Sequence, residues 1–238
     1  MLSVMKAKLD ASRALLYETS RFVDVYKAYE DVERDGTKLT KEQKDDLKKY
    51  RRLADACTPL VKGLASEYCN QNAYDCIQIH GGSGFMKDYA CERVYRDARI
   101  TSIYEGTTQL QVVAAIRHVT TGTYSAMMED YASQPVSDEL KPVADTLSAL
   151  AAKYNEAVEK INAVADTTYT DFMARRLVEM AGNIVMSWLL VTDATRYLSE
   201  SMTRSAKVYS KIAQAEVEKH LEFIANFTPD QIELYKQA

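Results

Sequence analysis

The sequence predicts an all-α fold with two helical units in tandem. Four prolines and eight glycines spread through 238 residues leave few helix breakers. Apolar residues recur every three or four positions rather than every two, the helical period. With 47% hydrophobic residues the chain can bury a sizeable core.

The elements follow in order. Leu2, Met5, Leu9, Ala11, Leu15, Leu16, Phe22 and Tyr26 mark one stripe and predict a first helix near residues 2–30. That helix starts without a cap, as expected of a chain that begins inside a longer protein. A charged connection follows, and Thr40 with Gln43 forms a capping box for a short helix. Thr58-Pro59 reads as N-cap and N1 of the next long helix, with Val61, Leu64, Ala65, Tyr68, Asn72 and Cys76 on or near its inner face. This helix runs into Gly81, Gly82 and Gly84. Another helix carries Glu92 to Ile100, a tight turn falls at Glu105-Gly106, and Thr107 opens the next helix. The pattern lapses over residues 122–136, read as the boundary between the units. Three long helices follow near 138–164, 167–202 and 204–226, and Thr228-Pro229-Asp230-Gln231 caps a short last one. Phe172, Met173, Leu177, Met180, Ala181, Ile184, Val185, Trp188 and Leu189 form the most apolar stripe and read as packing core.

Composition narrows the function classes. The 34 acidic and 30 basic residues are interspersed, for a net charge of −4, so no extended basic face for nucleic acid is expected. Cys57, Cys69, Cys76 and Cys91 form no C-x-x-C pair and read as reduced thiols, which predicts a cytoplasmic protein. The N-terminus carries charge by Lys6 and lacks a signal-peptide core, and the longest apolar stretch, near Asn183 to Val191, reads as too short to span a bilayer.

The chemistry-bearing residues concentrate between His80 and Leu110. The glycines follow a helix rather than a strand, so they are neither a dinucleotide fingerprint nor a P-loop. They read either as a C-cap and chain reversal or as backbone that lets a flat or anionic ligand approach closely. Glu105 stands between Ile103-Tyr104 and Gly106, beside the helix N-terminus at Thr107. In a buried cleft it would be a stronger general base, an effect the helix dipole would oppose; on the surface it would be idle. Arg93, Arg96, Asp97 and Arg99 read as a charge ladder, with Arg93 and Asp97 at i,i+4. Three histidines without paired E-x-x-H spacing predict no metal site, and the sequence has no G-x-S-x-G elbow of a serine hydrolase.

Three blocks stand in fixed order: Gln78-Ile79-His80-Gly81-Gly82-x-Gly84-Phe85, Glu92-Arg93-x-x-Arg96-Asp97-Ala98-Arg99-Ile100, and Ile103-Tyr104-Glu105-Gly106-Thr107-Thr108-Gln109. Together they closely resemble the C-terminal signature of the acyl-CoA dehydrogenases. The resemblance implies an up-and-down four-helix bundle over residues 1–121, followed by a second helical extension over 137–238 like that of larger bacterial members. It implies an FAD-dependent enzyme that oxidises acyl-CoA thioesters to trans-2-enoyl-CoA. A carboxylate takes the α-proton as the β-hydrogen leaves as hydride to the flavin, and Glu105 matches that carboxylate. Tyr104, Glu105 and Gly106 match positions at the substrate, where the Glu105 N–H meets the thioester oxygen. Thr107 and Gln109 match FAD contacts, and Gln78, Gly81 and Gly82 match the segment that reaches FAD in a neighbouring subunit. The resemblance implies a homodimer or homotetramer with electron-transfer flavoprotein as acceptor. The family's preceding helical and β-barrel domains are not in this sequence, so the chain alone is expected to be inactive and to hold FAD weakly. The charged insertion at residues 30–55 departs from common short members. Two other classes remain: a non-catalytic helical interaction or oligomerisation module, which has no use for an acid at Glu105, and a helical small-ligand carrier.

Overall fold

A computed structural model describes residues 1–232. The all-α expectation holds, with no strand among those residues. The long helices run up and down against one another. Helix α1, Leu2–Arg34, ends where Gly36 takes a left-handed φ of 87°. It buries Ala7, Ala11, Ala14, Leu15 and Phe22. Leu2, Leu9 and Leu16, part of the predicted stripe, are exposed. The alanine face is the one that lets neighbouring helices approach closely, and it leaves the leucine flank outside.

Helix α2, Lys41–Leu60, begins with the predicted capping box: Gln43 N–H donates to Thr40 Oγ1 at 3.2 Å and Thr40 N–H to Gln43 Oε1 at 2.9 Å. The predicted break at Thr58-Pro59 does not occur. The helix continues through Pro59, widens into a π-turn at Val61–Ala65, and resumes as α3, Ser66–His80. Thr58 does not cap; its hydroxyl donates back to Ala54 O at 2.7 Å. Proline removes one N–H from the ladder on its N-terminal side, where it would have met Asp55 O, and the wider turn follows it.

Gly81, at φ 60°, ends α3, and the one-turn α4, Gly82–Phe85, leads to α5, Ala90–Thr101. Helix α5 packs back along α3. Helix α6, Thr108–Thr120, follows the Glu105-Gly106 turn, and α7, Thr123–Ala132, occupies much of the stretch read as a boundary. Its buried Tyr124, Met127, Met128 and Tyr131 supply the helical pattern that the small residues around it obscure.

Helix α8, Lys141–Ala163, opens with Pro142, and α9, Thr167–Tyr197, is capped by Asp166. Every residue from Met180 to Val191 is buried, and α9 packs against α1, α6, α7, α8 and α10. Helix α9 is long and apolar enough to cross a bilayer, contrary to the sequence estimate, but 83% of its most apolar window is buried inside the protein. A helix hydrophobic all round needs cover on all sides, and here the other helices supply it. Helix α9 stops earlier than expected, at Leu198 with φ 48°, and Ser199 caps α10, Glu200–Asn226. Thr228 N–H donates to Gln231 Oε1 at 2.8 Å and opens a 3₁₀ turn at Pro229–Ile232; the rest of the predicted last helix lies outside the described residues.

Candidate functional site

The turn between α5 and α6 is tightly specified. Ile103 and Tyr104 N–H groups donate to Ile100 O at 2.9 and 3.0 Å, and Thr108 N–H closes the loop on Ser102 O at 3.2 Å. Glu105 and Gly106 both sit at positive φ, 54° and 97°. For glycine that is ordinary, but for glutamate it is a strained conformation held by its surroundings. Thr107 caps α6 by accepting from Leu110 N–H at 3.3 Å. Among the described residues, the N–H groups of Glu105, Gly106 and Thr107 have no hydrogen-bond acceptor.

Three residues of the continuous helix brace this turn. Lys62, in the π-turn, donates to Thr101 O and lies 4.8 Å from the Tyr104 ring centroid. Asn70 Nδ2 approaches Thr101 Oγ1 at 3.4 Å. Thr108 Oγ1 donates to Glu67 Oε1 at 2.6 Å, tying the start of α6 to α3.

Beside the turn lies an open cleft of about 610 Å³. Its walls include Asn70, Gln71, Tyr74, Tyr95, Arg99 and Ile103, with Thr107, Thr108 and Gln109 at the α6 end. Thr107 and Gln109 therefore line one cleft. Tyr104, Glu105 and Gly106 occupy the adjoining turn without lining the cleft. The Glu105 side chain is exposed and has no hydrogen-bond or ion-pair partner among the described residues, so the buried-base condition is not met within this chain. Gln78, Gly81 and Gly82 lie at the other end of α3, eleven or more residues from Glu67. That is roughly 16 Å or more along a helix. They are exposed, and a Cβ at Gly81 or Gly82 would meet nothing within 4 Å.

Two readings change. Arg93 and Asp97 form no ion pair among the described residues; both are exposed, where such pairs contribute little. Arg99, read as structural, donates to Ser102 Oγ at 2.7 Å and also lines the cleft. The sequence reading missed Lys62, Glu67 and Asn70, whose relation to the turn depends on how two helices pack. It also missed a cluster of Cys76, His80 and Cys91, of which the i,i+4 spacing of Cys76 and His80 was visible.

Residues 1–120, half of the chain, match the family model described as "Acyl-CoA dehydrogenase, C-terminal domain". The chain belongs to the acyl-CoA dehydrogenase family. Residues 120–232 match a second model, "Acyl-CoA dehydrogenase C terminal", so α7 to α10 also have counterparts among acyl-CoA dehydrogenases. The chain is 35% identical over 111 residues to the caffeyl-CoA reductase-Etf complex subunit CarC of Acetobacterium woodii, covering 47% of this chain and 23% of that protein. It is 47% identical over 75 residues to an acryloyl-CoA reductase (NADH) of Anaerotignum propionicum, covering 28% and 18%. The chain thus spans about a fifth of the length of these curated relatives. The acyl-CoA dehydrogenase from Bacillus anthracis complexed with FAD superposes with a TM-score of 0.70 at 20% identity, over 99% of this chain and 43% of that one. The likeness extends through both helical stretches and is one of fold.

Proposed function

We propose that this chain is the C-terminal part of an FAD-dependent acyl-CoA dehydrogenase, in which Glu105 takes the α-proton of an acyl-CoA thioester. The observation that carries the reading is the Glu105 turn itself: a carboxylate held at φ 54°, next to three N–H groups without acceptors. Strain of this kind persists where surroundings impose it and is concentrated at working sites. A thioester α-proton is weakly acidic, so its removal needs a positioned base and a donor for the developing enolate oxygen. Glu105 would be the base, and its own N–H the donor.

The residues present fit a flavin dinucleotide. Thr107, Gln109 and the α6 N-terminus, with Arg99 across the cleft, offer donors to a phosphorylated ligand. Gly81 and Gly82 offer open backbone, and Gln78 an exposed side chain, to the cofactor of a second copy, which supports a homodimer or homotetramer. A flavin held there would supply the hydride acceptor for the β-hydrogen. Ile103, Tyr104 and Leu110 expose apolar surface beside Glu105. Covering that surface with the rest of the enzyme would also remove water from the carboxylate.

Both relatives described above are named reductases, which favours a second direction for the same chemistry. There Glu105 would deliver the proton to Cα instead of taking it. The name of the A. woodii protein supports electron-transfer flavoprotein as partner in either direction.

The test is anaerobic flavin bleaching by a panel of acyl-CoA thioesters, in the protein joined to the upstream region its relatives carry, for wild type and Glu105→Gln. Bleaching that falls on the order of 10²- to 10⁴-fold in the variant supports the reading. Equal bleaching removes Glu105 as base. Absence of bound flavin in the joined protein would favour a non-catalytic interaction module.

A further inference from the structure

Cys76 and His80 are one turn apart on α3 and share a face, while α5 returns along α3 and brings Cys91 of its first turn opposite them. The two thiol sulfurs and a His80 ring nitrogen all lie within 4.8 Å of one another, with Cys76 Sγ 3.9 Å from His80 Nδ1. A tetrahedral zinc ion with ordinary Zn–S and Zn–N bonds needs ligand separations of about 3.6 to 3.8 Å. Side-chain adjustments of about 1 Å or less would reach that geometry.

We propose that Cys76, His80 and Cys91 form a binding site for zinc(II) that clamps the end of α3 to the start of α5. Two sulfurs and an imidazole are a soft donor set, suited to zinc and poorly suited to magnesium or calcium. Burial is graded across the site: Cys91 is 6% exposed, Cys76 is half-buried and His80 is open to solvent, which leaves an entry path and a fourth position for water. His80 Nδ1 lies 2.8 Å from the Cys76 carbonyl oxygen. On binding at Nδ1, the metal replaces that contact and the imidazole carries its proton on the other nitrogen. The two thiols lose their protons to solvent. The clamp spans the Gly81–Gly84 reversal, so the metal would fix a segment that otherwise relies on glycine backbone.

The whole 238-residue chain, reduced and stripped with a chelator, is titrated with cobalt(II) and then zinc(II). One equivalent of cobalt should give thiolate charge-transfer and tetrahedral visible bands, which zinc displaces. Cys91→Ser and His80→Ala should each weaken binding by more than about tenfold, the scale already lost when outer-shell partners are removed. His80 is exposed, so its variant keeps the fold testable, and Cys69→Ser, at an exposed thiol outside the cluster, should bind as wild type. Absence of cobalt bands in the wild type overturns the proposal, as do unchanged bands in Cys91→Ser and His80→Ala.

Discussion

Tyr68 Oη donates a 2.9 Å hydrogen bond to Asn183 Oδ1, joining α3 to α9 across 115 residues of sequence. Tyr209 of α10 donates to the same oxygen at 3.0 Å, and Asn183 Nδ2 donates back to Glu179 O at 2.8 Å. Burial pushes the Tyr68 phenol up to about 12, so it remains a donor at neutral pH. Three helices thus meet on one buried amide, where an unpaired polar group is costly.

Asn183→Ala should destabilise the chain by about 2 to 3 kcal/mol, because it removes the acceptor of two buried hydroxyls and opens a small cavity. Urea unfolding should show a lower midpoint at unchanged slope. A loss under about 0.5 kcal/mol, the range of ordinary surface substitutions, would mean that the two tyrosines satisfy each other.

Leu198→Gly should stabilise the protein by roughly 0.5 to 1 kcal/mol. Leu198 ends α9 at φ 48° while 81% exposed, so the site strains its backbone and buries little in return. Thermal unfolding should shift upward; a downward shift would show that the leucine packs more than its exposure indicates.

Gly84 and Gly82 should part company. A Cβ at Gly84 would lie 2.8 Å from Ile77 O and 3.0 Å from Ile77 Cα, backbone atoms that cannot swing aside. Gly84→Ala should cost on the order of 1 to 3 kcal/mol. Gly82→Ala should leave stability within about 0.5 kcal/mol, since its Cβ would meet open space, and on the proposed function should instead lower flavin retention in the assembled enzyme. Equal stability losses at the two glycines would refute this division.

Acid should weaken the fold in two windows. Burial, with Arg117 adding to it, holds the His118 imidazole below its ordinary 6.5, so the unfolded chain takes up that proton first. Stability is lost from about pH 6.5 downward and levels off below the folded value. Burial alone would push the Glu179 carboxyl up, but His220 Nε2 at 2.9 Å and the hydrogen bond from Arg175 at 2.7 Å outweigh it and hold the group below 4.5. Its contribution is full above that value and is lost as pH falls through the folded one. Urea midpoints measured from pH 7 to pH 3 should show the first loss vanish in His118→Gln and the second in Glu179→Gln. Unchanged pH profiles in both variants would remove these residues as the cause.

The sequence carried the helical class, the side-chain caps at Thr40 and Thr107 and the family, because periodicity, capping residues and signature blocks are local. Thr40 and Gln43 show this: two side chains three residues apart specify a helix start whatever lies around them. Pro59 shows the opposite. Its local signal is a helix start, yet packing of Leu60 and Leu64 into the core carries the helix through it. The lining of the cleft was legible at Thr107 and Gln109 but not at Glu67 or Asn70, since a position on α3 acquires its relation to the turn only when α6 docks. The exposure of Glu105 was likewise out of reach, because burial depends on surfaces brought from elsewhere.

The π-turn at Val61–Ala65 has a consequence for register. A wide turn adds a residue without adding a full turn, and each residue of a helix advances by about 100°. Deleting one residue between Val61 and Ala65 would therefore rotate all of α3 by roughly that angle. Glu67 would swing away from Thr108, Tyr68 from Asn183, and Cys76 with His80 from Cys91. The wide turn after Pro59 thus sets the phase of every later contact along α3.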